Sequence, residues 1–338
     1  MIFQNSSVTL SPADAVAIGA HQSPALLVGF DHIAGHVLGK LRVGEFLRTG
    51  TAFQPQCQSM GRLKPSLFHN TQLQTGTLHL QATQRRHPLR RPVQALAKPD
   101  GFAFRVWKIA GVSDTSVTLS LHSPDGDQGY PGNIDVEAEF TLQDSTLVLR
   151  HRAVSDADTL CSLTSHGYFN LAGHNSGSAM DQHILLFAHA YTPSNAEGIP
   201  LGITQSVERT PMDLRELLPI QTHIEDSFPQ LVQAKGYDHN YVINGNIVEL
   251  RPAAIAMSDL TGISMRVDST MPGIHFYTAN YVSVDHPGKG GCTYGPRHGF
   301  CLETQFYPDA IHHESFPSPI LEAGKVYNHS TVFSFNNI

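Results

Sequence analysis

The sequence predicts an all-β protein, a sandwich or barrel of antiparallel strands with few short helices. Three observations lead there. Short alternating or β-branched runs recur along the chain, long amphipathic helical runs are hard to find, and Gly/Pro-rich turns separate the runs. In chain order the candidate strands include Ser116-Val117-Thr118-Leu119-Ser120-Leu121, Ser145-Thr146-Leu147-Val148-Leu149-Arg150, Asn240-Tyr241-Val242-Ile243 and Thr331-Val332-Phe333-Ser334-Phe335. The candidate turns are Ser123-Pro124-Asp125-Gly126-Asp127, Tyr130-Pro131-Gly132-Asn133, Asn244-Gly245-Asn246 and Met271-Pro272-Gly273. A short helix is expected over residues 212–217, led in by Thr210-Pro211. No internal repeat is visible, and 338 residues fit one all-β domain spanning 1–338.

Composition narrows the function classes. Hydrophobic residues make up 41% of the chain and charged residues 15%, enough apolar material for a large core and too little charge for a disordered chain. The net charge of -7 offers no basic surface for a phosphate backbone, so no nucleic-acid partner is expected. No stretch has the apolar length of a membrane span, and Met1-Ile2-Phe3-Gln4-Asn5 is not a basic lead into an apolar signal segment. Four cysteines, Cys57, Cys161, Cys292 and Cys301, lack metal-ligand spacing and are few for a secreted disulfide framework. A reducing cytoplasm is the expected location. The 20 histidines, His312-His313 included, show none of the paired spacings of a zinc helix.

Residues 46–99 differ from the rest. They contain eight Lys and Arg, eight Gln and no Asp or Glu, while the remainder carries 14 Lys and Arg against all 29 acidic residues. Such a stretch reads either as a solvated basic insertion or as a local reading-frame discontinuity, which changes composition abruptly and spares both flanks. Irregular structure rather than continuous sheet is the physical expectation for a segment unmatched to its surroundings.

The second half carries the chemistry. Its motifs are Ser123-Pro124-Asp125-Gly126-Asp127-Gln128-Gly129-Tyr130-Pro131-Gly132-Asn133, then Ser165-His166-Gly167-Tyr168-Phe169-Asn170-Leu171-Ala172-Gly173, then Gly236-Tyr237-Asp238-His239-Asn240-Tyr241-Val242. Pro272-Gly273-Ile274-His275-Phe276-Tyr277-Thr278-Ala279-Asn280 and Gly299-Phe300-Cys301-Leu302-Glu303-Thr304-Gln305 follow, with Pro308-Asp309-Ala310 and Phe316-Pro317-Ser318-Pro319 behind them. In this order the blocks resemble the aldose 1-epimerase (galactose mutarotase) family from about Gly101 to the end. Leu27-Val28-Gly29-Phe30-Asp31 is similar to that family's Leu-Gly-Phe-Asp strand. The resemblance implies a large antiparallel β-sandwich, the galactose-mutarotase-like supersandwich, acting on a small sugar as a monomer or homodimer.

It also implies interconversion of the α and β anomers of free aldohexoses, galactose or glucose. That reaction takes a proton from the C1 hydroxyl and gives one to the ring oxygen, then reverses both, so it needs a base and an acid and no cofactor or metal. By resemblance Glu303 is the base and His166 the acid, and Asp238 accepts hydrogen bonds from sugar hydroxyls. Tyr168 shares a strand face with His166 if the run is extended, and Cys301 likewise shares one with Glu303. Taken singly, each residue type has a plainer role. Glu in a strand usually faces solvent, His beside Gly and Tyr is usually structural, Asp beside His-Asn suits a turn, and Cys is usually a small buried hydrophobe.

The chain also departs from the family. The Asn-Arg pair and His-Gly-Gly motif expected before Arg105-Val106-Trp107 fall in residues 46–99, where only Gly61-Arg62 and His87 stand in comparable regions. Arg62 and His87 are therefore the candidates for the missing sugar contacts. His275 replaces the Gln that usually precedes Phe-Tyr-Thr, and its ring can still donate or accept one hydrogen bond. The alternative reading is an impaired sugar-binding homologue lacking these positioning groups. A relative acting on phosphorylated sugars ranks last, since the basic residues cluster only in the anomalous segment.

Overall fold

The structure, a computed structural model, describes residues 101–282 and 288–337. Segment 46–99, with Arg62 and His87, and the Leu27–Asp31 strand lie outside the described residues.

Two antiparallel sheets face each other. The larger has nine strands in the spatial order β1 (Lys108–Val112), β2 (Ser116–Ser123), β3 (Ile134–Gln143), β4 (Thr146–Ser155), β17 (Val326–Asn337), β13 (Ile263–Ser269), β12 (Arg251–Ser258), β7 (His183–Leu186) and β10 (Leu218–Pro219). The smaller has six, in the order β6 (Tyr168–Phe169), β15 (Phe300–Gln305), β14 (Gly273–Tyr277), β11 (Asp238–Ile243), β8 (Ala188–Tyr191) and β9 (Gln205–Ser206). A two-stranded piece joins β16 (Ile320–Leu321) to β5 (Thr159–Leu160). This is the predicted antiparallel sandwich.

Period-2 alternation explains how the large sheet is placed. On β3, Ile134, Val136, Ala138 and Phe140 are buried, while Asp135, Glu137 and Glu139 take the other face. Register then puts Phe140 opposite Leu149 in the core and Glu137 opposite Arg152 outside. The outer Arg152–Glu137 and Arg150–Glu139 pairs are 3.5 Å apart and half-exposed, a geometry that contributes little to stability. The main core lies between the sheets. Phe140, Leu149, Val267, Phe333 and Phe335 of the large sheet meet Tyr241, Ile274, Phe276, Phe300 and Leu302 of the small one.

One expectation requires correction. Residues 212–217 form no helix; they are turn and irregular chain. Met212 and Leu214 are both buried, a spacing of two that suits extended chain, and the Leu214 carbonyl accepts from the Leu186 amide. Thr210 Oγ1 accepts from the Met212 amide, and Asp213 Oδ1 accepts from the Arg215 amide, so side chains take up the local backbone groups a helix would use. Among the described residues the α-helix is instead α1 (Pro229–Ala234), started by proline at its first turn and ended by Lys235 in the left-handed region. Strand β1 begins at Lys108, after Phe102–Phe104 form a 3-10 turn and the Trp107 indole donates back to the Phe102 carbonyl.

The first motif block proves to be scaffolding. Asp127 accepts two bonds from the Arg105 guanidinium and one from Ser123, and that guanidinium holds its carboxyl below the usual range. Asp125 accepts from the Gly132 amide. No helix among the described residues is long and apolar enough to cross a membrane.

Candidate active site

The small sheet has two buried faces, and they have different jobs. On β15 the residues Phe300 and Leu302 enter the core, as do Ile274 and Phe276 on β14 and Tyr241 on β11. Alternation sends Cys301 and Glu303, His275 and Tyr277, and Asp238 and Asn240 to the opposite face. Register assembles them into rows: Asn240 opposite His275 and His275 opposite Glu303, then Asp238 opposite Tyr277, Tyr277 opposite Cys301, and Cys301 opposite Tyr168. Four strands thus bring five of the candidate residues together without any of them being close in sequence, apart from His166 and Tyr168.

His166, just before β6, reaches over this face. Its Nε2 lies 3.5 Å from Glu303 Oε1 and its Nδ1 lies 3.4 Å from Cys301 Sγ. Tyr168 stacks on the imidazole at a centroid separation of 4.9 Å, and Tyr277 meets the ring edge-on at 6.0 Å. The ring is therefore fixed between two aromatic neighbours, with one nitrogen toward the carboxyl and the other toward the thiol. Glu303 is fully buried, and neither of its oxygens accepts a hydrogen bond from the described residues. Burial, with the Asp238 charge added, pushes its carboxyl well above the ordinary range. Burial likewise keeps the Tyr168 and Tyr277 phenols and the Cys301 thiol protonated.

Asp238 is held by the substituted position. His275 Nε2 lies 2.8 Å from Asp238 Oδ1, and its Nδ1 has no hydrogen-bond partner among the described residues. A cleft open to solvent, with about 500 Å³ of empty space counting its open mouth, is lined by Asp238, Asn240, His275, Thr192, Gln233 and Pro308, among others. Glu303 and His166 are not among its lining residues; Glu303 lies opposite His275 on the neighbouring strand β15, and His166 lies beside Glu303. Two motif glycines serve this geometry. Gly236 sits at a φ of +135°, where an added Cβ would meet the Asn280 and Thr278 side chains, and a Cβ on Gly273 would run into Asn240 and Tyr307.

The sequence profile described as aldose 1-epimerase matches residues 96–334. The chain belongs to the aldose 1-epimerase family. Galactose mutarotase of Mus musculus is 37% identical over 214 residues, covering 63% of this chain and 61% of that protein. Galactose mutarotase of Bos taurus is 36% identical over 236 residues, covering 70% of this chain and 67% of its own length. The match to the mouse protein therefore spans less than two thirds of that relative. Among solved structures, an aldose epimerase homologue from C. elegans superposes with a TM-score of 0.64 at 25% identity, covering 71% of each chain.

Sequence reasoning missed Tyr277 as a member of the site face. A count of two from His275 along an extended run would have found it.

Proposed function

We propose that the protein interconverts the α and β anomers of free aldohexoses, galactose or glucose, with Glu303 as base and His166 as acid. The observation that carries this is the 3.5 Å approach of His166 Nε2 to Glu303 Oε1 on one face of the small sheet. The reaction acts on two oxygens bonded to the same carbon, the C1 hydroxyl and the ring oxygen. A base and an acid that serve such neighbours must themselves be neighbours.

In the forward step Glu303 takes the proton of the C1 hydroxyl and His166 gives a proton to the ring oxygen as the C1–O5 bond breaks. The open aldehyde turns about C1–C2. On closure His166 takes back the O5 proton and Glu303 returns one to the C1 oxygen, so neither group is changed. Burial makes Glu303 a stronger base than a carboxylate in water, bringing it nearer the working pH of a proton-transfer catalyst. Asp238 and His275 would hold sugar hydroxyls at the mouth of the site, and Tyr168 would back the acid. Arg62 and His87 are proposed for the remaining sugar contacts on sequence grounds alone.

We read 1–338 as one domain with an anomalous segment at 46–99; among the described residues, both sheets share one core. A cytoplasmic location and a monomeric or homodimeric state complete the reading. Polarimetry with fresh α-galactose and α-glucose tests the function: optical rotation should relax faster than in buffer, and a buffer-like rate with both sugars would sink it.

A further inference from the structure

We propose that His166, Cys301 and Glu303 form a binding site for a thiophilic divalent cation of the zinc, cadmium and cobalt class, and that its occupation blocks the sugar chemistry. The blocking half rests on the roles proposed above for Glu303 and His166; the binding half does not.

One donor atom from each of the three residues lies within 4.8 Å of the others. Donors around a tetrahedral cation with bonds of about 2.0–2.3 Å stand roughly 3.5 Å apart, so closing onto a metal needs movements of about 1 Å. Two of the three are fixed at alternate positions of β15, between β6 and β14, and the third is held by ring stacking on Tyr168. All three are buried. The Glu303 oxygens, aimed into this cluster, have no hydrogen-bond partner among the described residues, a costly state for a buried carboxyl that a cation would relieve.

Charge and softness select the cation. A thiolate, a carboxylate and a neutral imidazole carry two negative charges, which a divalent ion neutralises within a dry site. A sulfur donor favours zinc-like ions over magnesium or calcium. Binding forms one bond each from sulfur, nitrogen and oxygen to the metal and releases to solvent the thiol proton and the proton carried by the His166–Glu303 pair. Bound metal would occupy the lone pairs of both base and acid. The site is invisible to motif spacing, because His166 precedes Cys301 by 135 residues.

Cobalt(II) titration of the full reduced chain tests the binding. One equivalent should produce a sulfur-to-cobalt charge-transfer band that zinc abolishes. The band should persist in Cys57→Ser, Cys161→Ser and Cys292→Ser and vanish in Cys301→Ser. Glu303→Gln, which keeps the thiolate, should weaken cobalt binding by about 10-fold or more. Absence of the band at saturating cobalt, its survival in Cys301→Ser, or undiminished affinity in Glu303→Gln overturns the site. In polarimetry, zinc should slow mutarotation with the midpoint of the titration; a bound metal that leaves the rate untouched overturns the blocking half. A chain inactive without metal defeats the proposed function instead, while the cobalt band still decides the binding.

Discussion

His166 and Glu303 approach to 3.5 Å, Nε2 to Oε1, at a buried point that four strands and a preceding loop converge to build. Replacing either group should remove proton transfer and leave the sheet intact. Glu303→Ala and His166→Asn should each lower kcat/KM for mutarotation by about 10² or more. The double variant should lose little beyond the worse single one, because the two act as a unit. Progress curves by polarimetry give all three numbers, and additive losses would mean the two groups act apart.

Asp238 helps raise the Glu303 carboxyl, after burial itself. Asp238→Asn removes that charge, so the acidic limb of the pH profile for kcat/KM should move to lower pH, toward the ordinary carboxylate value of about 4.3. KM should also rise if Asp238 holds sugar hydroxyls. A limb that stays in place would separate Asp238 from Glu303 electrostatically.

The His275–Asp238 contact of 2.8 Å sits at the cleft wall in front of Glu303. His275→Ala should raise KM more than it lowers kcat, since it takes one donor from Asp238 without touching the acid or base. His275→Gln supplies a side-chain amide and should recover part of the loss. Equal falls in kcat for both variants would give His275 a part in the chemistry.

Stability should respond to pH in two opposite ways. Burial, with His275 nearby, lowers His239 to about 3, and burial lowers His329 to about 4. The unfolded chain then binds protons that the native state refuses. Their contribution is present above about pH 6.5 and is lost as pH falls toward those folded values. Glu303 works the other way. Its carboxyl is raised in the fold, so its contribution is full below about pH 4.3 and is lost as pH rises through the folded value. Denaturant midpoints measured against pH should show Glu303→Gln removing the alkaline-side decline and His239→Gln flattening part of the acid-side fall. An unchanged alkaline slope in Glu303→Gln would contradict a carboxyl raised by burial.

The fold class was legible because alternation and turn chemistry agree over β2, β4, β11 and β17. The site was legible only through its motifs. Both faces of β15 are buried, so alternation separates Glu303 from Leu302 without telling which face is core. The pairing of Asp238 with His275, and of His166 with Cys301, depends on strand register across separations of 37 and 135 residues. No local pattern encodes that. The expected helix over 212–217 failed for a local reason, since Asp213 and Thr210 supply side-chain acceptors that a turn uses better than a helix. Histidine and cysteine spacings along the chain gave no metal signal because the three donors come from a loop and a strand far apart in sequence.

The most direct measurement is the relaxation of optical rotation of fresh α-galactose, run side by side with the unaltered chain and with Glu303→Gln at matched folded concentration. The expected result is a rate well above buffer for the unaltered chain and a fall of about 10² or more in the variant. A Glu303→Gln chain that relaxes the sugar as fast as the unaltered one would contradict the central claim that Glu303 is the base.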